Sequence, residues 1–136
     1  MTAVGKLEWD DSLSFNNLID DQHKHLIIRT NYLYDCLILE DPDNEIKSLL
    51  EKVLSEAHFH FESEEKIFDQ LKFSQAKEHK RDHRNLEKIL SKLLNEFDGA
   101  PRIIKISIVL DFKLHLIKHL LEKDPIFIKE LKSRVG

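Results

Sequence analysis

Residues 60–83 read HFESEEKIFDQLKFSQAKEHKRDH, and this stretch decides the fold. It contains two pairs of potential metal ligands spaced four residues apart, His60 with Glu64 and His79 with His83. On a helix, residues four apart lie about 40° apart around the axis and about 6 Å along it, so their side chains converge on one point. The stretch therefore predicts two helices, each of which directs a pair of donors to one side.

Apolar residues recur at intervals of three and four along most of the chain, and many of the histidines fall within these stripes. Pro42 and Pro101 separate the stretches of helical period, and Ser74 is a predicted cap of the third helix. The pattern predicts four helices and a short fifth one, over residues 15–38, 44–71, 75–97, 101–122 and 125–134. We expect an all-α, up-down-up-down four-helix bundle, formed by residues 1–136 as one domain, with an N-terminal arm through Trp9.

The fourth stretch has an ambiguous pattern. Five residues at helical spacing would form its buried stripe, namely Ile104, Ile108, Phe112, His115 and His119. Apolar residues also alternate with mostly polar ones between Ile104 and Leu116, which is typical of a half-buried strand. Because no other segment could pair with such a strand, we interpret the stretch as a helix.

The composition excludes several classes of function. Lys and Arg number 21 against 25 Asp and Glu, which gives a net charge of −4, and the basic residues form no block that would recruit nucleic acid. The start, MTAVGKLEWDD, lacks the apolar core of a signal peptide, and charged residues interrupt the apolar stretch from Ile103 to Leu121. We therefore expect a cytoplasmic protein that does not bind membranes.

Eight histidines fall in four pairs along the chain. Burying ionisable groups on several helices at a comparable depth is costly unless a cation inside the bundle compensates them. Imidazoles and carboxylates suit iron or zinc, whereas magnesium and calcium prefer an all-oxygen shell. Seven inward donors exceed what one tetrahedral zinc ion can use, and they suit two metals that share carboxylates and leave one position open.

Four motifs resemble the hemerythrin signature in order and spacing: IDDQH at 19–23, HFESEE at 60–65, HKRDH at 79–83 and HLLEKD at 119–124. Trp9, within LEWDDSLSF, resembles the tryptophan that opens these domains, so the similarity covers nearly the whole chain. Among hemerythrins, the chain is most similar to the bacterial single-domain kind.

The resemblance implies a non-haem di-iron centre with seven protein ligands. His79, His83 and His119 would bind one iron, His23 and His60 the other, and two carboxylates, Glu64 and Asp124, would bridge them together with an oxo or hydroxo group. Dioxygen, or a small anion in its place, would occupy the iron with two histidines.

The function implied by this centre is reversible dioxygen binding, in an oxygen carrier, store or sensor that is a monomer or a weak homo-oligomer. One alternative is a di-iron enzyme that acts on peroxide, nitric oxide or another small oxidant. A second is a metal-free or zinc-bound helical interaction module, which would require the inward histidines to be structural.

His119 and Asp124 are five residues apart, which on a regular helix turns them about 140° away from each other. Since a residue before proline is pushed away from helical angles, Pro125 predicts that the helix breaks or widens near Asp124. Widening would let the Asp124 carboxylate swing back towards the metals. Glu122, three residues after His119, is the rival bridge.

Three histidines lie outside the implied ligand set. His25 and His58 each stand two residues from an implied ligand, about 160° round the helix, and are expected at the surface. His115 falls on the predicted core stripe, where the family pattern leads us to expect a tryptophan beside the dioxygen pocket. It is therefore a candidate dioxygen-pocket residue, and the alternative is a core histidine bonded to a backbone carbonyl.

Overall fold

The computed structural model describes the backbone of residues 17–135 and the side chains of residues 21–130 and 133. It contains five α-helices, α1 (Asn17–Ile38), α2 (Asp43–Leu71), α3 (Ala76–Glu96), α4 (Arg102–Lys118) and α5 (Asp124–Val135). A 3-10 turn, Phe97–Gly99, follows α3, and a π-helical segment, His119–Lys123, joins α4 to α5. The predicted N-terminal arm and Trp9 lie outside the described residues.

The first four helices form an up-down-up-down bundle. Each packs against the next along the chain, and α4 packs against α1, which closes the bundle. Its interior is filled by aliphatic and aromatic side chains at helical spacing, including the fully buried Leu33, Leu50, Leu90, Val109 and Phe112. Every regular element within residues 17–135 is helical, so the predicted all-α bundle is confirmed.

The third helix begins at Ala76, and Ser74 does not cap it. The backbone N–H and the hydroxyl of Ser74 instead donate to the carboxylate of Glu130 in α5, at 3.0 and 2.5 Å. The predicted cap was wrong because a partner distant in sequence offers Ser74 a stronger, charge-assisted hydrogen bond.

The buried face of α4 differs from the predicted stripe. Ile104 is 46% exposed, whereas Lys105 and Lys113 are buried. The Lys105 ammonium lies 3.9 Å from the centre of the Phe97 ring, and that of Lys113 lies 4.3 Å from the centre of the Tyr34 ring. An aromatic face attracts a cation, and a lysine stem packs well among apolar groups. The predicted stripe is therefore wrong at Ile104, because both lysines lie on the face towards the bundle interior, whereas its members Phe112 and His119 are buried as expected.

The helix does not break after His119 but widens. The N–H of Asp124 donates to the carbonyl of His119, a bond from residue i to residue i+5 that gives this segment its π geometry. Pro125, which has no N–H to donate, follows directly. The widening expected from the sequence is therefore observed, and it brings His119 and Asp124 to the same side of the helix.

No helix within residues 17–135 combines the length and the apolar character needed to cross a lipid bilayer. The cytoplasmic location stays a prediction. The oligomeric state also stays a prediction.

Truncation of a core leucine should destabilise the bundle. Leu90 of α3 is fully buried, so Leu90→Ala is expected to lower the free energy of unfolding of the metal-free protein by about 2–5 kcal/mol. Leu39→Ala is the matched control, because Leu39 is 73% exposed and its truncation leaves no cavity. Urea denaturation measures both variants, and equal losses would contradict the packing described here.

Candidate metal centre

Seven buried side chains converge in one half of the bundle and form two groups that share Glu64 and Asp124. One group consists of Glu64, His79, His83, His119 and Asp124, and the other of His23, His60, Glu64 and Asp124. Within each group the potential ligand atoms all lie within 4.8 Å of one another. All seven side chains are at most 4% exposed. The structure therefore brings together every residue that the resemblance implied as a ligand.

Three imidazoles meet in the first group. The Nε2 atom of His119 lies 3.2 Å from that of His79 and 3.2 Å from that of His83. Nitrogen ligands about 2.0–2.1 Å from one ion stand roughly 3 Å apart at right angles. The three rings therefore have a separation that suits a shared ion.

Glu64 divides its two carboxylate oxygens between the groups. Its Oε1 lies 3.0 Å from Nε2 of His79 and 3.4 Å from Nε2 of His83. Its Oε2 lies 3.2 Å from Nε2 of His60 and 3.7 Å from Nε2 of His23. A carboxylate placed in this way can contact two ions at once.

Asp124 is divided in the same manner, because the π-helical segment returns it to the side of His119. Its Oδ1 lies 2.9 Å from Nε2 of both His79 and His119, and its Oδ2 lies 3.2 Å from Nε2 of His23. The rival carboxylate, Glu122, is exposed. Asp124 therefore faces both groups of imidazoles, and Glu122 does not.

Several donor atoms of the cluster are buried without a hydrogen bond. Among the described residues, Nε2 of His60, Oε1 of Glu64 and Oδ2 of Asp124 have no hydrogen-bond partner of acceptable geometry. Polar atoms in a protein interior are normally satisfied, and leaving them unsatisfied costs about 1–3 kcal/mol each. Cations placed between these atoms would satisfy all of them, so the residues present fit a metal site.

In three histidines of the cluster the outer ring nitrogen, Nδ1, has a partner that orients the inner ring nitrogen, Nε2, towards the cluster. Nδ1 of His83 lies 2.8 Å from the Glu65 carboxylate, and Nδ1 of His119 lies 2.5 Å from that of Asp82. An N–H on the outer nitrogen leaves the inner nitrogen with a free lone pair, the form that binds metals.

His60 has a neutral partner instead. Its Nδ1 lies 3.2 Å from the amide oxygen of Gln22, while the Gln22 amide N–H2 donates to the Ser63 hydroxyl at 3.2 Å. Sequence reasoning missed Gln22, Glu65 and Asp82 as functional residues. The signal was available, because all three stand inside the quoted motifs, each of them immediately beside an implied ligand in sequence.

The two carboxylates remain ionised in spite of their burial. Burial by itself would raise the pKa of Glu64, but the nearby imidazoles of His23, His60, His79 and His83, whose Nε2 atoms lie 3.0 to 3.7 Å from its carboxylate oxygens, hold this pKa well below its usual value. For His119, burial would lower the pKa, yet the charge and hydrogen bond of Asp124 raise it to about 10. Protons on His23 and His119 therefore balance the two carboxylates when no ion is bound, and cations bound between the carboxylates would take the place of these protons.

Aromatic rings pack against the cluster. The Phe61 ring stacks on the His83 imidazole with centroids 4.2 Å apart and an angle of 10° between the planes. The Phe68 ring lies 4.6 Å from the His79 imidazole. Such contacts restrict ring rotation and keep water away from the donors.

The remaining histidines lie outside the cluster. His25 is exposed, and the ring nitrogens of His58 contact the carboxylates of Glu62 and Glu87 at the surface, as expected. The core position predicted for His115 is wrong, since its side chain is 54% exposed and its Nδ1 donates to the carbonyl of Asp111 at 2.8 Å. His115 precedes the buried Leu116 by one residue, and this step turns it about 100° away from the core.

Comparisons with known proteins agree with this geometry. The model of the family described as Hemerythrin HHE cation binding domain matches residues 14–131. The chain is 35% identical over 86 residues to a myohemerythrin of Sipunculus nudus, covering 62% of this chain and 63% of that protein. It is 31% identical over 83 residues to a hemerythrin-like protein of Naegleria gruberi, covering 60% and 64% respectively. The chain thus spans a little under two thirds of the length of these curated relatives.

Removal of a central imidazole should weaken metal binding, whereas removal of a surface imidazole should not. Loss of an outer partner alone typically costs 10- to 100-fold in affinity, so we expect His119→Ala to lose at least about that much. His58→Ala is the control, because His58 is 56% exposed and lies outside both groups. Elemental analysis after dialysis against a chelator measures the ions retained per chain. Equal retention by the two variants would show that the metal binds elsewhere.

Proposed function

Because this chain belongs to the hemerythrin family, we propose that its buried centre holds two iron ions, bridged by an oxo or hydroxo group, and binds dioxygen reversibly. His79, His83 and His119 hold one iron, and His23 and His60 hold the other. The shared carboxylates Glu64 and Asp124 contact both irons. Support for this assignment comes from the two carboxylates, each of which directs one oxygen towards each group of imidazoles.

One observation leads us to propose that the centre binds a gas. The group around His79, His83 and His119 offers five donor residues, whereas the group around His23 and His60 offers four. With a shared bridging group, the five-donor position is filled and the four-donor position has one place left. That place is where we put dioxygen, or a small anion that competes with it.

The composition of the ligand set favours binding over oxidation of a substrate. Two reduced iron ions would together supply the electrons that dioxygen accepts on binding and returns on release. Ferritin-like di-iron proteins hold their metals with four glutamates and two histidines, a more anionic set than the five histidines and two carboxylates proposed here. Fewer anions stabilise highly oxidised iron less, so this centre is suited to a carrier, store or sensor.

Burial of the centre serves the same function. The seven side chains are nearly inaccessible, and Phe68, Phe73 and Phe127 form an apolar cluster against His79. An apolar wall limits the access of water and protons to the centre, which disfavours irreversible oxidation. The chain therefore contributes orientation, through the imidazoles, and exclusion of water, through the phenylalanines.

The decisive test compares the reduced protein before and after exposure to air. We expect two irons per chain and a new visible absorption band that appears with air, disappears when dioxygen is removed, and is suppressed by an excess of azide. His115→Ala is the control, since His115 lies outside the ligand groups and its loss should leave the band unchanged.

The alternative enzyme gives a different result in the same experiment. Irreversible bleaching in air, combined with turnover of hydrogen peroxide or nitric oxide by the reduced protein, would replace the carrier proposal with a di-iron enzyme. Fewer than two irons per chain at saturation would rule out both.

A further inference from the structure

The outer nitrogens of His83 and His119, at one metal position, have charged partners, whereas that of His60, at the other position, has a neutral one. On the three-histidine side, His83 and His119 face the carboxylates of Glu65 and Asp82. On the two-histidine side, His60 faces the neutral amide of Gln22. A carboxylate that accepts the outer N–H makes the imidazole a stronger base and a better ligand, and an amide oxygen does so much less.

The charged partners are themselves held in place. Glu65 forms an ion pair with the Arg84 guanidinium at 2.5 Å, so its carboxylate is fixed between an arginine and His83. Glu65 and Asp82 are also shielded, with 17% and 32% of their side chains exposed. Gln22 is equally fixed, because its amide donates to Ser63 and this bond decides which of its atoms faces His60. The difference between the two sides is therefore built into the fold.

We propose that Glu65, Asp82 and Gln22 are positioning residues that make the two metal positions unequal, so that the three-histidine position retains its ion while the two-histidine position releases its ion first. This inference rests on the proposed di-iron function and adds to it an order of loading and loss. The three-histidine position has five donor residues, and two of its imidazoles have a carboxylate behind them. The two-histidine position has four donor residues, and one of its imidazoles has an amide behind it. The larger number of donors and the charged partners both favour tighter binding at the three-histidine position.

A chelator competition on the ferrous protein under nitrogen tests this inequality. Protein loaded with two ferrous ions per chain is equilibrated with increasing amounts of a chromogenic ferrous chelator, and the iron left on each chain is counted. For the unmodified protein we expect two separate steps of one ion each, with midpoints at least about tenfold apart.

Two substitutions should move the steps independently. Asp82→Asn removes the charge behind His119 and should shift the step at high chelator by about 10- to 100-fold towards weaker binding, while the step at low chelator stays in place. Gln22→Glu adds a charge behind His60 and should move the step at low chelator towards tighter binding. Glu62→Gln is the matched control, because it removes a carboxylate partner from the exposed His58 and should move neither step.

The outcomes separate this inference from the proposed function. Two ions that leave in a single step, or an Asp82→Asn substitution that moves only the weaker step, would overturn the inequality and leave dioxygen binding intact. A chain that takes up fewer than two ferrous ions at saturation would overturn both. Because Gln22→Glu is expected to strengthen binding, general unfolding cannot imitate its effect.

Discussion

Two ionised carboxylates in an apolar interior are the constraint around which this molecule is organised. Glu64 and Asp124 are each 1% exposed, and the charge of Glu64 by itself disfavours ionisation of Asp124. Five imidazoles surround the pair, yet donor atoms of the cluster remain without hydrogen bonds among the described residues. An interior of this kind is incomplete on its own, because protons on neighbouring imidazoles balance the two carboxylates in place of metal ions, and the burial of every charge costs free energy. Cations between the carboxylates would complete it, so the stability of this half of the bundle and the function of its centre depend on the same atoms.

Much of the fold and of the ligand set could be predicted from the sequence, because both follow from local periodicity. The pairs His60–Glu64 and His79–His83 needed only the spacing of a helix to converge, and the predicted bounds of the helices lie within four residues of those observed. The need for a widened helix near Asp124 also followed from counting residues around a helix. That Asp124 and not Glu122 faces the cluster was chosen from the family pattern, since spacing alone allowed either carboxylate.

What could not be predicted depends on contacts between residues distant in sequence. Lys105 and Lys113 are buried because aromatic rings from other elements accept their ammonium groups, and this rotates the face of α4 that carries His115 away from the core. Ser74 bonds to a carboxylate 56 residues away and is unavailable as a helix cap. The outer partners of the histidines were missed for a related reason, because a polar residue beside a ligand in sequence is normally assigned to the solvated face.

The π-helical segment has a consequence for how this sequence tolerates change. A π turn amounts to an α-helix that carries one surplus residue, so residues after it are out of phase with those before it by about 100°. Deletion of one residue between Leu120 and Lys123 would restore a regular α-helix and rephase α5, turning the Phe127 face of that helix away from Phe68 and Phe73. The length of the π-helical segment thus sets which face of α5 packs against the bundle. Many substitutions within the segment would preserve this packing more easily than the loss or gain of one residue.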